Sequence, residues 1–163
     1  MTQDTPALEV EVIQRLSALG HTIATAESST GGLIAKRLTD ISGSSACVLG
    51  GVVAYADEIK EKILGVQKQT LIDYGAVSEP VAQQMADGAR RLFGTDFALS
   101  VTGIAGPLGA TLTKPVGLHY IGLSAASGTR VRRYVWQGDR DHNRAAAADA
   151  ALRLLLELLD GIE

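Results

Sequence analysis

Two short segments of the sequence combine residue types that could carry out nucleophilic chemistry. The first is Ala26–Gly32 (AESSTGG), where serines follow a β-branched strand pattern and two glycines precede a helical pattern. Such a turn exposes a serine hydroxyl beside unpaired backbone N–H groups, and these suit an oxyanion or a phosphate. A simple helix N-cap is the alternative, because Ser or Thr followed by Gly begins many helices. The GxSxG and SxxK motifs of known serine hydrolases do not occur in this segment.

The second segment is Tyr55–Lys60 (YADEIK), at the end of one predicted strand and in the first turn of the next helix. A lysine there lies near the positive end of the helix dipole, which is unfavourable. Lys60 is therefore a candidate for a buried, functional amine. The alternative is a solvated helix face on which Lys60 is one of several surface charges, together with Asp57, Glu58 and Lys62.

Two further segments could bind a ligand. Thr102–Pro107 (TGIAGP) leaves a predicted strand at its carboxyl end, where open α/β sheets bind ligands, although Gly103 and Gly106 do not have the spacing of a dinucleotide or Walker loop. Arg140 and Arg144 lie near the start of the last predicted helix. They could hold an anionic ligand through paired hydrogen bonds, or they could be surface residues of a helix start capped by a neighbouring aspartate.

Hydrophobic periodicity predicts the elements that position these segments. Strands alternate with helices early in the chain and pair as a hairpin around Ser127–Gly128 later, which predicts a three-layer α/β/α sandwich with a mixed β-sheet in a single domain over residues 1–163. The predicted helices are Ala7–Leu19, Thr30–Asp40, Asp57–Leu64, Thr70–Tyr74, Glu79–Phe93 and Asp141–Leu159, and the predicted strands are His21–Glu27, Cys47–Tyr55, Phe97–Thr102, Gly117–Ala126 and Thr129–Trp136.

Composition excludes several classes of protein. The 163 residues carry 15 Lys and Arg against 18 Asp and Glu, so the net charge of −3 gives no electrostatic footprint for nucleic acid. Cys47 is the only cysteine, and the three histidines form no HExxH pair, so neither a disulfide framework nor a metal site is expected. No apolar run reaches the ~18 residues of a membrane span, and the N-terminus lacks the features of a secretory signal. A cytoplasmic protein without membrane contact is expected.

Eight motifs occur in an order that resembles one family: AESSTGG, ISGSSA, VAYADEIK, LGV, GAVSEP, TGIAGP, KPVG and GDRD. From about residue 8 to 159, the chain is similar to the CinA C-terminal domain family, which includes bacterial nicotinamide mononucleotide amidohydrolases. Longer members carry an additional N-terminal domain like those that bind molybdopterin, and 163 residues are too few to hold it. The resemblance also implies a homo-oligomer.

The resemblance implies deamidation of nicotinamide mononucleotide to nicotinate mononucleotide and ammonia, by a serine–lysine mechanism without metal or cofactor. Ser28 then matches the nucleophile and Lys60 the base. Tyr55 is expected to hydrogen-bond Lys60 or to relay its proton to the departing ammonia. The small-molecule nucleotide is the expected partner. The residues expected to bind it are Ser29, Thr30, Gly31, Gly32, Thr102, Gly103, Gly106 and Arg140.

This mechanism places a physical demand on the lysine. A free lysine has a pKa of ~10.4, and a base working near pH 7 needs a pKa of ~7–8, a difference of about 4 kcal/mol that burial or a nearby positive charge must supply. The N–H groups from Ser29 to Gly32 would hold the oxyanion. The phosphate is then left to the Gly103–Gly106 loop, or to Arg140 and Arg144 of this chain or of a neighbouring subunit.

One loop departs from the family pattern. Leu108 stands where relatives carry an acidic residue, and Ala110 stands where they carry a glycine. A leucine cannot hydrogen-bond a ribose hydroxyl, so the departure predicts weaker binding of the nucleotide or a shift to a related amide. If the loop faces solvent, the change has no effect. The departure also favours the alternative function, a non-catalytic nucleotide-binding or regulatory module of the competence or damage-inducible kind.

Overall fold

The computed structural model describes residues 5–162, which form a five-stranded mixed sheet between two layers of helices. The strands are β1 (Ile23–Glu27), β2 (Val48–Val53), β3 (Phe97–Gly103), β4 (Leu118–Ala125) and β5 (Gly128–Val135). The α-helices are α1 (Leu8–Leu19), α2 (Leu33–Thr39), α3 (Asp57–Leu64), α4 (Lys68–Tyr74), α5 (Glu79–Phe93) and α6 (Arg140–Asp160), and a 3₁₀ turn covers Ser44–Ala46.

The strand order β2-β1-β3-β4-β5 places β1 between two parallel neighbours. Strands β3, β4 and β5 then follow one another antiparallel. Because β1, β2 and β3 run in the same direction, their carboxyl ends meet at one edge of the sheet. Ser28, Tyr55 and Thr102, which are far apart in sequence, lie at these three strand ends.

The two helical layers confirm the predicted three-layer α/β/α architecture. Helices α1, α2 and α6 pack together on one face of the sheet, and α5 covers the other face with α3 and α4 beside it. Small residues let neighbouring helices approach closely, as the low aromatic content predicts. A Cβ on Gly88 of α5, for example, would lie 1.9 Å from the carbonyl oxygen of Leu64 at the end of α3. Within residues 5–162, no helix combines the length and apolarity needed to cross a membrane.

Several predicted element boundaries differ from the observed ones by one to three residues, and two of these differences change a turn. The helix expected from Thr30 begins at Leu33, because Gly31 and Gly32 adopt left-handed backbone angles (φ 60° and 100°) that a helix cannot contain. The hairpin turn consists of Ala126 and Ser127, since Gly128 is already the first residue of β5. The first difference matters for the site, because it leaves Ser28–Gly32 as a separate turn between strand and helix.

Candidate functional site

A cavity of about 250 Å³ opens at the carboxyl ends of β1, β2 and β3. Backbone hydrogen bonds fix its floor: the Ser28 N–H donates to Val101 O (2.9 Å) and the Ala54 N–H donates to Glu27 O (2.8 Å). These bonds extend the sheet one residue beyond β1 and β2. The lining residues are Ser28, Ser29, Tyr55, Asp57, Lys60, Ala76, Val77, Thr102, Gly103, Ile104, Ala105, Gly106, Leu108, Gly109 and Arg140.

Ser28 and Lys60 meet in this cavity. Lys60 Nζ lies 3.1 Å from Ser28 Oγ, 2.9 Å from Ala54 O and 3.3 Å from Tyr55 O. The lysine is 1% exposed although it belongs to the first turns of α3. The alternative of a solvated lysine on a charged helix face is therefore wrong, and the buried amine predicted from its position in the helix is present.

The three partners of Lys60 differ in what they can do with a proton. Two are carbonyl oxygens, which only accept, while Ser28 can also donate. A neutral amine has two N–H bonds and one lone pair, so when both N–H bonds go to the carbonyls the lone pair faces the Ser28 hydroxyl. Burial lowers the pKa of Lys60, and Asp57, whose carboxylate lies 3.8 Å away, opposes this shift. Burial thus shifts Lys60 towards the neutral form that a general base requires.

Glu27 secures the Ser28 turn from inside the protein, a role that sequence reasoning missed. Its Oε1 accepts hydrogen bonds from Thr30 Oγ1 (2.7 Å) and Ile34 N (2.8 Å), and its Oε2 accepts one from Ala35 N (3.0 Å). The carboxylate thereby caps α2, although it precedes the helix by several residues. The signal in the sequence was a glutamate at the end of a strand whose other residues, apart from Thr25, are apolar, because a carboxylate buried with such a strand needs donors.

Arg144 holds the same turn from the outside. Its Nε donates to Ser29 O (3.1 Å) and its Nη2 donates to Thr30 O (3.0 Å). The Arg144 side chain does not line the cavity. The hypothesis that Arg144 binds an anionic ligand is therefore not supported, because its guanidinium is turned towards backbone carbonyls.

Only part of the serine turn reaches the cavity. Ser29 lines it, whereas Thr30, Gly31 and Gly32 do not, and the Thr30 hydroxyl is bonded to Glu27. These three residues shape the turn: Gly31 and Gly32 supply its left-handed angles. Within residues 5–162 the Ser29 N–H has no hydrogen-bond partner, which leaves it as a donor next to the nucleophile.

Tyr55 and Arg140 lie together at the mouth of the cavity. Arg140 donates from Nη1 to Gly106 O (2.9 Å) and from Nη2 to the Tyr55 hydroxyl (3.3 Å). The expected hydrogen bond between the Tyr55 hydroxyl and Lys60 is not formed, because Tyr55 meets Lys60 through its carbonyl and its side chain is 64% exposed. The Tyr55 carbonyl consequently accepts a hydrogen bond from Lys60, and the Tyr55 side chain lies at the cavity entrance.

The Thr102–Gly106 segment forms the opposite wall, where Thr102, Gly103 and Gly106 all line the cavity. Gly103 lies against the buried ring of His119, and a Cβ there would be 2.1 Å from the ring carbon Cδ2. The Thr102 hydroxyl donates to Ala76 O (2.8 Å) and so joins this wall to the 75–78 loop. The glycines are thus required by close packing rather than by a phosphate-loop motif.

The unusual loop lies at the edge of the site. Leu108 lines the mouth of the cavity but is 85% exposed, and Ala110 does not line the cavity. Among residues 5–162, no three His, Cys, Asp or Glu side chains come together in a way that could hold a metal ion.

Comparison with known proteins decides the family. The model of the CinA C-terminal domain matches residues 5–159. The chain belongs to the CinA C-terminal domain family. A CinA-like protein from Sulfurihydrogenibium is 46% identical over 153 residues, which cover 94% of this chain and 38% of the relative. A CinA-like protein from Anaeromyxobacter dehalogenans is 48% identical over 144 residues, which cover 88% of this chain and 35% of the relative. The chain thus spans less than two fifths of these relatives.

Solved structures of CinA proteins share the fold. A competence-damaged protein (CinA) superfamily protein from Klebsiella pneumoniae matches with a TM-score of 0.91 at 34% identity, over 94% of this chain and 96% of that one. The competence/damage inducible protein CihA from Agrobacterium tumefaciens matches with a TM-score of 0.85 at 42% identity and the same coverage. The predicted family and fold are confirmed.

Proposed function

We propose that this CinA domain is an amidohydrolase that converts nicotinamide mononucleotide to nicotinate mononucleotide and ammonia. The observation that carries the proposal is the 3.1 Å contact between Ser28 Oγ and a buried lysine amine inside a cavity. A serine attacks an amide only when a base takes its proton, and Lys60 is the basic side chain in contact with Ser28. The substrate follows from the resemblance to the amidohydrolases, together with a guanidinium at the cavity mouth.

The first half of the reaction acylates Ser28. Its Oγ attacks the carboxamide carbon while the hydroxyl proton moves to the lone pair of Lys60 Nζ. The carbonyl oxygen becomes an oxyanion, for which the Ser29 N–H is the nearest free backbone donor on the turn. When the tetrahedral intermediate collapses, the C–N bond breaks, and the proton on Lys60 passes to the leaving nitrogen, which departs as ammonia.

The second half hydrolyses the acyl-enzyme. Lys60, neutral again, takes a proton from a water molecule as the water oxygen attacks the ester carbon. Collapse breaks the bond to Ser28 Oγ, and Lys60 returns a proton to that oxygen. The product is a carboxylic acid, which ionises at neutral pH. In each half, Lys60 therefore first accepts a proton and then donates one, and neither half requires a metal.

The direct test is to incubate the purified protein with nicotinamide mononucleotide and to measure ammonia and nicotinate mononucleotide together. Equal amounts of the two products are expected. Binding of the nucleotide without turnover would instead favour the alternative, a non-catalytic regulatory module. The names of the competence and damage-inducible relatives are consistent with that alternative. The homo-oligomer implied by the resemblance stays a prediction.

Replacing Arg140 with glutamine is expected to weaken nucleotide binding more than chemistry. Arg140 lines the cavity mouth, and its partners there, Gly106 O and the Tyr55 hydroxyl, leave the guanidinium able to turn towards an incoming phosphate. A hydrogen bond to a charged group contributes about 1.5–3 kcal/mol, so KM should rise about 10- to 100-fold while kcat changes little. The measurement is steady-state kinetics with nicotinamide mononucleotide.

The control for this variant is the substrate without phosphate. With nicotinamide riboside, wild type and Arg140→Gln should have similar kcat/KM values, because the phosphate contact is missing in both cases. A loss of the same size with both substrates would assign Arg140 to the nicotinamide or ribose end, and would contradict its role in phosphate binding.

Restoring the family pattern with Leu108→Asp and Ala110→Gly tests the loop. If an acidic side chain at the cavity mouth reaches a ribose hydroxyl, KM for the nucleotide should fall by up to about tenfold, the worth of one hydrogen bond, with kcat unchanged. Ala110→Gly alone serves as the matched control, since Ala110 does not line the cavity. An unchanged KM in the double variant would show that this exposed loop plays no part in recognition.

A further inference from the structure

The first three carbonyl groups of the Ser28–Gly32 turn all accept hydrogen bonds. Ser28 O accepts from Gly31 N (3.0 Å), and Thr30 O accepts from Leu33 N (3.0 Å). Ser29 O, which lies between them, accepts from Arg144 Nε, and Arg144 Nη2 makes a second bond to Thr30 O. One guanidinium from α6 therefore fixes two consecutive peptide planes next to Ser28.

We infer that Arg144 is a positioning residue for the proposed acyl transfer and does not itself bind substrate. In a trans peptide the C=O and the N–H of the next residue point in opposite directions, so the bonds to Ser29 O and Thr30 O turn the N–H groups of Thr30 and Gly31 away from Arg144. The Gly31 N–H donates to Ser28 O (3.0 Å), and this bond fixes the adjacent peptide plane, which carries the Ser29 N–H, relative to Ser28. An oxyanion donor stabilises a transition state only when it is aimed before the reaction begins.

The surroundings of Arg144 fit this role. Gly31 has φ 60°, and a Cβ there would lie 3.3 Å from Arg144 Nη2, so glycine provides room for the guanidinium. On the inner side, the Glu27 carboxylate holds Thr30 and the start of α2. The turn is thus held between a buried anion and a cation on α6. A lysine at position 144 could not reproduce both bonds in the plane of a guanidinium.

The test compares Arg144→Gln with Arg153→Gln, a control on an exposed face of the same helix. The inference rests on the proposed function, so two readouts are needed: steady-state kinetics with nicotinamide mononucleotide, and the rate at which a fluorophosphonate labels Ser28. Loss of one oxyanion donor lowers kcat about 10²–10³-fold, and a misaimed donor should cost at least about tenfold. Arg144→Gln should lower kcat and the labelling rate by similar factors with KM within about threefold, while Arg153→Gln should change neither.

Arg144→Ala gives a second variant in which added guanidinium ion should restore part of the labelling rate, an effect that a loss of folding would not allow. Melting temperatures of all three variants complete the comparison. Wild-type labelling and kcat in Arg144→Gln would overturn the inference, and so would a loss confined to KM, which would make Arg144 a substrate-binding residue. If wild type is labelled but does not deamidate the nucleotide, the proposed substrate fails while the labelling rates still decide the role of Arg144.

Discussion

Ser28→Ala is expected to abolish deamidation of nicotinamide mononucleotide, with kcat reduced about 10⁴-fold or more, as when the nucleophile of other serine hydrolases is removed. Alanine cannot form the acyl-enzyme, and Lys60 still keeps its two carbonyl partners, Ala54 O and Tyr55 O. The fold and nucleotide binding should therefore persist. The measurements are ammonia release, nucleotide affinity by calorimetry, and the melting temperature.

Ser29→Ala is the matched control for the nucleophile. The Ser29 hydroxyl is buried and has no hydrogen-bond partner within the described residues, so its removal leaves no group unpaired. We expect kcat within a fewfold of wild type, and a trapped acyl-enzyme should map to Ser28 by mass spectrometry. Wild-type turnover by Ser28→Ala, or an adduct on Ser29, would contradict the assignment.

Lys60→Met is expected to reduce kcat about 10²–10⁴-fold, the usual contribution of a general base. Methionine fills a similar volume without a basic nitrogen, so Ser28 would lose the acceptor for its proton. Lys60→Arg should not restore activity, because a guanidinium stays protonated. The matched control is Lys62→Met on the same helix, where the amine is exposed and pairs with Glu58.

The pH dependence gives a second measurement for Lys60. The base works only when neutral, so kcat/KM should rise with pH as Lys60 of the free enzyme loses its proton. Burial lowers its pKa, which places the midpoint of this rise below the ordinary lysine value of 10.5. The rise should be missing from the residual activity of Lys60→Met. Activity that EDTA abolishes and zinc restores would contradict the serine–lysine mechanism.

The sequence by itself determined the layered sheet and the candidate reacting pair. Strand and helix patterns predict the α/β/α layers because burial imposes a period of two on strands and about 3.6 on helices. Motif order indicates the CinA family. Ser28 and Lys60 were candidates for chemistry from their positions beside strand ends and helix starts.

Only the tertiary structure decided which groups surround the reacting atoms. The local sequence pattern did not decide whether Lys60 is a surface charge or a buried amine. Its burial depends on β1 and on the carbonyls of residues 54 and 55 rather than on its own helix. The same holds for Glu27, Tyr55 and Arg144, whose partners lie on other segments. A charged side chain near a site can bind substrate, contact the backbone or face water. Which of these it does depends on distances between segments that are far apart in sequence, and local sequence patterns do not encode those distances.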